Sequence, residues 1–172
     1  MKKPHFVLIN GRGGVGKTTT LHRLLEHPPQ GWIFFDFDDG KFPPPRDGES
    51  GKEWRRQQHN WWLSVAKAWH GQNMHVCVLG VGIFPWQVPE LEAAQHFDAD
   101  QFAYGVMTCS PKTRRARLLQ RGTTQIAEYD EEQARGLLAK MKAHGAVEFS
   151  TEEKTPEEVA EDIRAWLNSL SM

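Results

Sequence analysis

Short apolar runs alternate with helical patterns along this chain. Phe6-Val7-Leu8-Ile9, Trp32-Ile33-Phe34-Phe35, Val76-Cys77-Val78-Leu79, Phe102 to Met107 and Ala146 to Phe149 are the runs. Brief unbroken apolar stretches bounded by turn residues read as strands buried on both faces. Thr19 to His27 reads as a helix, with Leu21, Leu24 and Leu25 at helical spacing. Ser50 and Glu53 form a capping-box signature, which predicts a helix from near Gly51 to a stop at Gly71. That helix carries Trp54, Trp61, Val65 and Trp69 along a stripe, with Trp62 beside them. A stripe of this kind reads first as core, and alternatively as an aromatic wall for a planar ligand. Leu91 to His96 predicts a short helix after Pro85 and Pro89. Ser110-Pro111 opens the next helix, which runs to Arg121 and ends at Gly122. Asp130 with Gln133 caps another, carrying Leu137, Leu138 and Met141 and stopped by Gly145. Thr155-Pro156-Glu157-Glu158 starts the last, with Val159, Ile163, Trp166, Leu167 and Leu170 on one face.

Strands alternating with helices predict an α/β fold: a parallel sheet with helices on both faces. Ligands of such sheets bind outside the carboxyl ends of the strands. Residues 11–18, the cluster Asp36–Asp39, the Gly80-Val81-Gly82 turn and the turn from Thr108 to Ser110 all follow strand ends. They are expected to share one rim.

Composition narrows the picture. The 172 residues suit a single domain spanning 1–172. With 21 basic and 22 acidic residues, the charge balance argues against a general nucleic-acid or membrane binder. No apolar run approaches the roughly 18 residues of a membrane span. Met1-Lys2-Lys3 is followed by too short an apolar stretch for a signal peptide, so a cytoplasmic location is the expectation. Cys77 and Cys109 lie in strand-like runs and read as small buried hydrophobes. The eight histidines show no metal-ligand spacing.

The sharpest signal is Gly11-Arg12-Gly13-Gly14-Val15-Gly16-Lys17-Thr18, which fits G-x-x-x-x-G-K-[ST] between a strand and a helix. Such a loop turns its N–H groups toward phosphate, Lys17 reaches the β- and γ-phosphates, and Thr18 can ligate Mg²⁺. Arg12, Val15 and Thr19 are counted with it as nucleotide contacts. The loop supplies no base, and phosphoryl transfer often uses a carboxylate for that purpose. Asp36 and Asp38 leave the second strand next to the loop. Alternating along an extended chain, they would share a face, one as base and the other as a metal or water partner. The plainer alternative is that Asp38 and Asp39 cap a turn before Gly40. From Lys112 to Arg121 there are five cations and no acid. Arg114, Arg117 and Arg121 line one stripe and suit phosphate, which predicts a lid over the nucleotide hinged at Gly122-Thr123-Thr124. Trp54, Arg55 and Arg56 lie nearest the acidic turn, with Trp54 and Arg55 as acceptor contacts alongside Asp38. An N-K-x-D guanine motif is absent, and the third strand ends without an acid. A metal carboxylate must therefore come from the Asp36–Asp39 cluster, with Asp36 beside Thr18 as the metal pair.

Taken in order, these residues resemble the small P-loop kinases: nucleoside and nucleotide kinases and the chloramphenicol phosphotransferase group. The matching motifs are the loop, Asp36-Phe37-Asp38 after the second strand, Arg117-Leu118-Leu119-Gln120-Arg121 and Thr155–Val159. Leu79-Gly80 through Pro89-Glu90-Leu91 is also similar to a stretch in a group of broad-specificity nucleotide kinases. The resemblance implies a three-layer α/β/α P-loop fold with sheet order 2-3-1-4-5 and a short helical lid around 111–130. It implies a cofactor set of ATP with Mg²⁺ and catalytic roles for Lys17, Asp36 or Asp38, Arg117 and Arg121. The implied reaction moves the γ-phosphate of ATP to a small acceptor, a nucleoside or nucleoside monophosphate. An antibiotic- or metabolite-modifying kinase and an ATP-binding switch without acceptor are the alternatives. The segment from Gly122 to Tyr129 is too short for a long inserted lid, and no dedicated monophosphate-binding arginine aligns.

Overall fold

The computed structural model describes residues 3–45, 48, 50–80, 82–123 and 131–171. Strands β1 (Phe6–Asn10), β2 (Trp32–Asp36), β3 (His75–Gly80), β4 (Phe102–Thr108) and β5 (Val147–Ser150) form one sheet in the order β2-β3-β1-β4-β5. Every pairing is parallel. This is the order that the resemblance implied. Asn10 lies level with Gly80 on one side and Val106 on the other, and Asp36 with Leu79. The four strand exits therefore reach the same rim, where the phosphate loop begins.

Helices α1 (Lys17–Glu26), α2 (Gly51–His70), α3 (Pro111–Gln120), α4 (Glu131–Ala143) and α5 (Pro156–Ser171) complete the layers. One face of the sheet packs on α1 and α5: Val7 and Ile9 meet Leu21, Leu24, Ile163 and Leu167. The other face packs Phe6, Leu8, Val76 and Val78 against Trp62, Leu63 and Ala66 of α2. Farther along that face, α4 lays Met141, Leu137 and Leu138 over Val106 and Tyr104 of β4. Burying each large side chain contributes about 1.5–3 kcal/mol, so both faces are needed to hold the layers.

The predicted caps are present. Ser50 Oγ accepts the Glu53 N–H at 3.1 Å, Ser110 Oγ accepts that of Thr113 at 3.1 Å, and Thr155 and Glu158 cap each other reciprocally. Gly71 ends α2 as expected. Asp130 and Thr124, which figured in the expected cap and hinge, lie outside the described residues, as does Val81 of the Gly80 turn. Two readings need correction. The tryptophan stripe does not face the core: Trp61 and Trp69 are 43% and 38% exposed, while Trp62 is 1% exposed. The buried stripe of α2 is Gln58, His59, Trp62, Leu63 and Ala66, about 100° away by helix geometry. The connection between β3 and β4 holds three 3₁₀ turns (Pro85–Glu90, Glu92–His96 and Ala99–Gln101) where one short helix was expected. Pro85 and Pro89 lack the N–H that a longer α-helix would need.

Candidate active site

The phosphate loop curls between β1 and α1, with Gly14 at φ 88° and Gly16 at φ 102°. A side chain at either position would be strained. α1 starts at Lys17, two residues earlier than the sequence pattern suggested, so Lys17 and Thr18 ride on its first turn. The first N–H groups of a helix have no partner within it and favour anions. Lys17 Nζ donates to Gly11 O at 2.5 Å and Arg12 O at 3.1 Å. Burial lowers its pKa, with Asp36 and Asp38 pulling the other way.

Asp36 is the last residue of β2, and a 3₁₀ turn, Phe37–Gly40, follows directly. The chain is therefore not extended through Asp38, and the two carboxylates do not share a face by strand alternation. The turn brings both near Lys17 instead. Asp36 Oδ1 accepts the Asp38 N–H at 3.0 Å, and Asp39 Oδ2 accepts the Asp36 N–H at 3.1 Å. Capping thus falls to Asp36 and Asp39, while the exposed Asp38 carboxylate has no hydrogen-bond partner among the described residues. Thr18 Oγ1 sits 3.4 Å from Asp36 Oδ2, longer than an ordinary O–H···O bond. Phe37 anchors the turn. Its ring is buried against Trp62 and His59 and covers Gly80 and Gly82.

The arginine stripe of α3 meets the loop from the other side. Arg114 Nε donates to Gly13 O at 2.8 Å. Arg117 Nη1 donates to Val15 O at 3.3 Å and Thr151 Oγ1 at 2.8 Å, and its Nη2 donates to Thr151 O at 2.9 Å. Arg121 is exposed, and its charge, with that of Arg114, lowers the Lys17 pKa. A cleft of about 520 Å³ runs between this helix and the start of α5, lined by Gly16, Thr19, Arg117, Arg121, Lys154 and Pro156. Arg12 reaches α4, donating to Gln133 Oε1 at 2.9 Å.

On the third wall, Arg56 is held by Glu53 and Glu92, and Trp54 Nε1 donates to Pro43 O at 2.7 Å. Arg55 is exposed, with no ion pair among the described residues. His59, 3% exposed, has its pKa lowered to about 4 by burial and by Arg55.

Sequence reasoning missed Thr151 and Asn10. Thr151 is buried just past β5 and joins Arg117, Val15 O and Thr108 O. The buried Asn10 donates through Nδ2 to Ile83 O and accepts the Gly82 N–H through Oδ1, both at 3.0 Å. A polar residue closing an apolar strand was the available signal for Asn10, and Thr151, which follows the polar Ser150, carried none.

The sequence matches no protein-family model and no curated protein sequence. Solved structures do match. A tunicamycin resistance protein from Deinococcus radiodurans superposes with TM-score 0.62 at 20% identity, over 95% of each chain. A gluconokinase from Sinorhizobium meliloti 1021 gives 0.56 at 15% identity, over 99% of this chain and 95% of that one. Shikimate kinase from Acinetobacter baumannii, solved with shikimate, gives 0.55 at 18% identity, over 96% and 94%. This chain has the P-loop kinase fold. Within that fold, Asp36 and Asp38 of the acidic turn and Arg114 and Arg121 from the arginine stripe all lie near enough to Lys17 to act on its charge. No described helix is long and apolar enough to cross a membrane.

Proposed function

We propose that the protein is an ATP-dependent phosphotransferase acting on the hydroxyl of a small molecule. The observation carrying this reading is that Asp36 Oδ2 lies 3.4 Å from Thr18 Oγ1, on the helix turn that also carries Lys17, with the exposed Asp38 carboxylate in the turn that follows. A switch that only held nucleotide would not need a second, unpartnered carboxylate there.

In this reading the triphosphate displaces the Lys17 ammonium from Gly11 O and Arg12 O, and the lysine then meets the β- and γ-phosphates. Thr18 and Asp36, whose oxygens approach to 3.4 Å, are the residues that would hold a Mg²⁺, a hard cation that suits oxygen ligands. Its chemistry there would be to offset the negative charge of the phosphates. Asp38 takes the acceptor hydroxyl's proton as its oxygen bonds to the γ-phosphorus. The bond from that phosphorus to the bridging oxygen breaks, and ADP leaves with the electron pair. Arg121 offsets the charge that develops on the transferring group. The nucleobase of ATP would lie in the cleft bounded by Arg117, Arg121 and Pro156. Thr19 and Arg12 flank the nucleotide, and Arg114 and Arg117 brace its loop.

The gluconokinase and the shikimate kinase among the neighbours support a small, hydroxyl-bearing acceptor. A nucleoside monophosphate is the second reading, favoured by Arg55, whose guanidinium is available to a phosphate near Trp54. The test is ADP production from ATP-Mg²⁺ with and without a panel of sugar acids, nucleosides, nucleoside monophosphates and hydroxyl-bearing antibiotics. Stimulation by one class, abolished in a folded Lys17→Ala variant, is the expected result. Undiminished transfer in that variant would overturn the mechanism.

A further inference from the structure

A cavity of about 80 Å³ lies between the strand exits and α4, on the outer side of the phosphate loop. Its walls are Phe84, Val106, Ala134, Leu137, Leu138 and Met141, and it reaches Gly11, Arg12 and Val15 of the loop. It is several times the roughly 10–15 Å³ that admits one water. The polar side chains on its wall are already engaged. Asn10 uses both ends of its amide on Ile83 O and Gly82 N–H, and Thr108 Oγ1 donates to Glu148 at 2.8 Å. Arg12 donates to Gln133, and Arg114 to Gly13 O. Against the wall of Phe84, Val106, Ala134, Leu137, Leu138 and Met141, a charged or strongly hydrogen-bonding occupant would lose its hydration and gain no side-chain partner in exchange. An apolar occupant would lose nothing there, and apolar-lined cavities in proteins take up small hydrocarbons.

The position matters as much as the lining. The cavity adjoins the loop that the kinase reading assigns to the transferring phosphate, so a group seated in it stands beside the site of transfer. α4 closes it from above, docked at one end by Arg12 on Gln133 and at the other by Lys140 Nζ, 3.9 Å from the centre of the Trp86 ring.

We propose that this cavity seats an uncharged, apolar substituent of the phosphoryl acceptor. The acceptor is then a neutral alcohol bearing one aromatic ring or a short branched alkyl group. This rests on the kinase reading and sharpens it against the nucleoside monophosphate alternative. Ala134 and Leu138 select the substituent's size from the α4 side.

Benzyl alcohol, the simplest ring carrying a neutral hydroxyl, is a suitable probe, and its binding can be followed by ligand-observed NMR and thermal shift without any turnover. Wild-type protein is expected to bind it. Ala134→Phe, which fills the cavity, is expected to weaken it about tenfold or more, with ADP binding retained as the check on folding. Leu138→Ala enlarges the cavity and is expected to shift preference toward the bulkier tryptophol, a second readout should Ala134→Phe fold poorly. Absence of benzyl alcohol binding to wild type, or equal binding to Ala134→Phe, overturns the inference and leaves the kinase reading standing. Protein that binds benzyl alcohol in the cavity but never transfers phosphate from bound ATP to any alcohol overturns the kinase reading, and with it the acceptor role.

Discussion

Phe37 lies directly over Gly80, leaving no room for a Cβ on the glycine. The ring belongs to the turn that carries Asp36 and Asp38, and the glycine ends β3. This contact sets the height of the carboxylates above the sheet. Gly80→Ala should push Phe37 outward and move both acids relative to Lys17. Overpacking of this kind costs about 1–3 kcal/mol. Denaturant titration should show that loss, and steady-state assays should show kcat falling further than ATP affinity.

Asp36 and Asp38 should separate by metal dependence. Asp36→Asn removes charge beside Thr18, so the Mg²⁺ concentration needed for half-maximal rate should rise about tenfold or more. Asp38→Asn should lower kcat by about 10²–10⁴-fold, the range for loss of a general base, with Mg²⁺ dependence unchanged. Titrating Mg²⁺ against rate for each variant checks both.

The lid arginines should not behave alike. Arg117 donates to Val15 O and to both the hydroxyl and the carbonyl of Thr151. Arg117→Ala should therefore lower thermal stability and ATP affinity together, because it strips charged donors from carbonyls at the loop. Arg121 makes no such tie among the described residues, and Arg121→Ala should lower kcat with little change in melting temperature. Calorimetric melting beside kinetics distinguishes the two.

Two histidines make stability pH-dependent. Burial first, then neighbouring charge, lowers His59 and His75 to about 4 from the ordinary 6.5. The charges opposing protonation are Arg55 for His59, and His5 and His70 for His75. Between those values the unfolded chain binds more protons than the folded one, so stability is lost as pH falls through the window. His75 Nδ1 also accepts the His5 N–H at 2.9 Å, which a protonated nitrogen cannot do. Urea midpoints should fall from about pH 7 to about pH 4.5, and His75→Asn should flatten that slope.

The strands, helix caps and phosphate loop were legible because each is written in adjacent residues. Ser110-Pro111 and Thr155–Glu158 cap wherever they stand, and a glycine-rich loop opening a helix has few other uses. Trp61 and Trp62 show where that reading ends. Both are aromatic and adjacent, and only the packing of Trp62 on Phe35 and Phe37 decides which enters the core. The Asp36–Asp39 turn misled for a related reason. Its carboxylates read as an extended pair until Asp36 and Asp39 bonded each other's surroundings and closed a 3₁₀ turn. The Arg117–Thr151 tie spans |i−j| = 34, with no local pattern to announce it.

Side chains, through Lys17, Arg114, Arg117 and Thr151, hold the carbonyls of Gly11, Arg12, Gly13 and Val15. A segment this rich in glycine would otherwise sample many shapes in the free protein and lose that freedom on meeting a ligand. Here most of the ordering is completed during folding. In the proposed reaction a triphosphate would displace one ammonium and meet a loop whose shape is already set, so less of its interaction energy would be consumed in restricting the backbone.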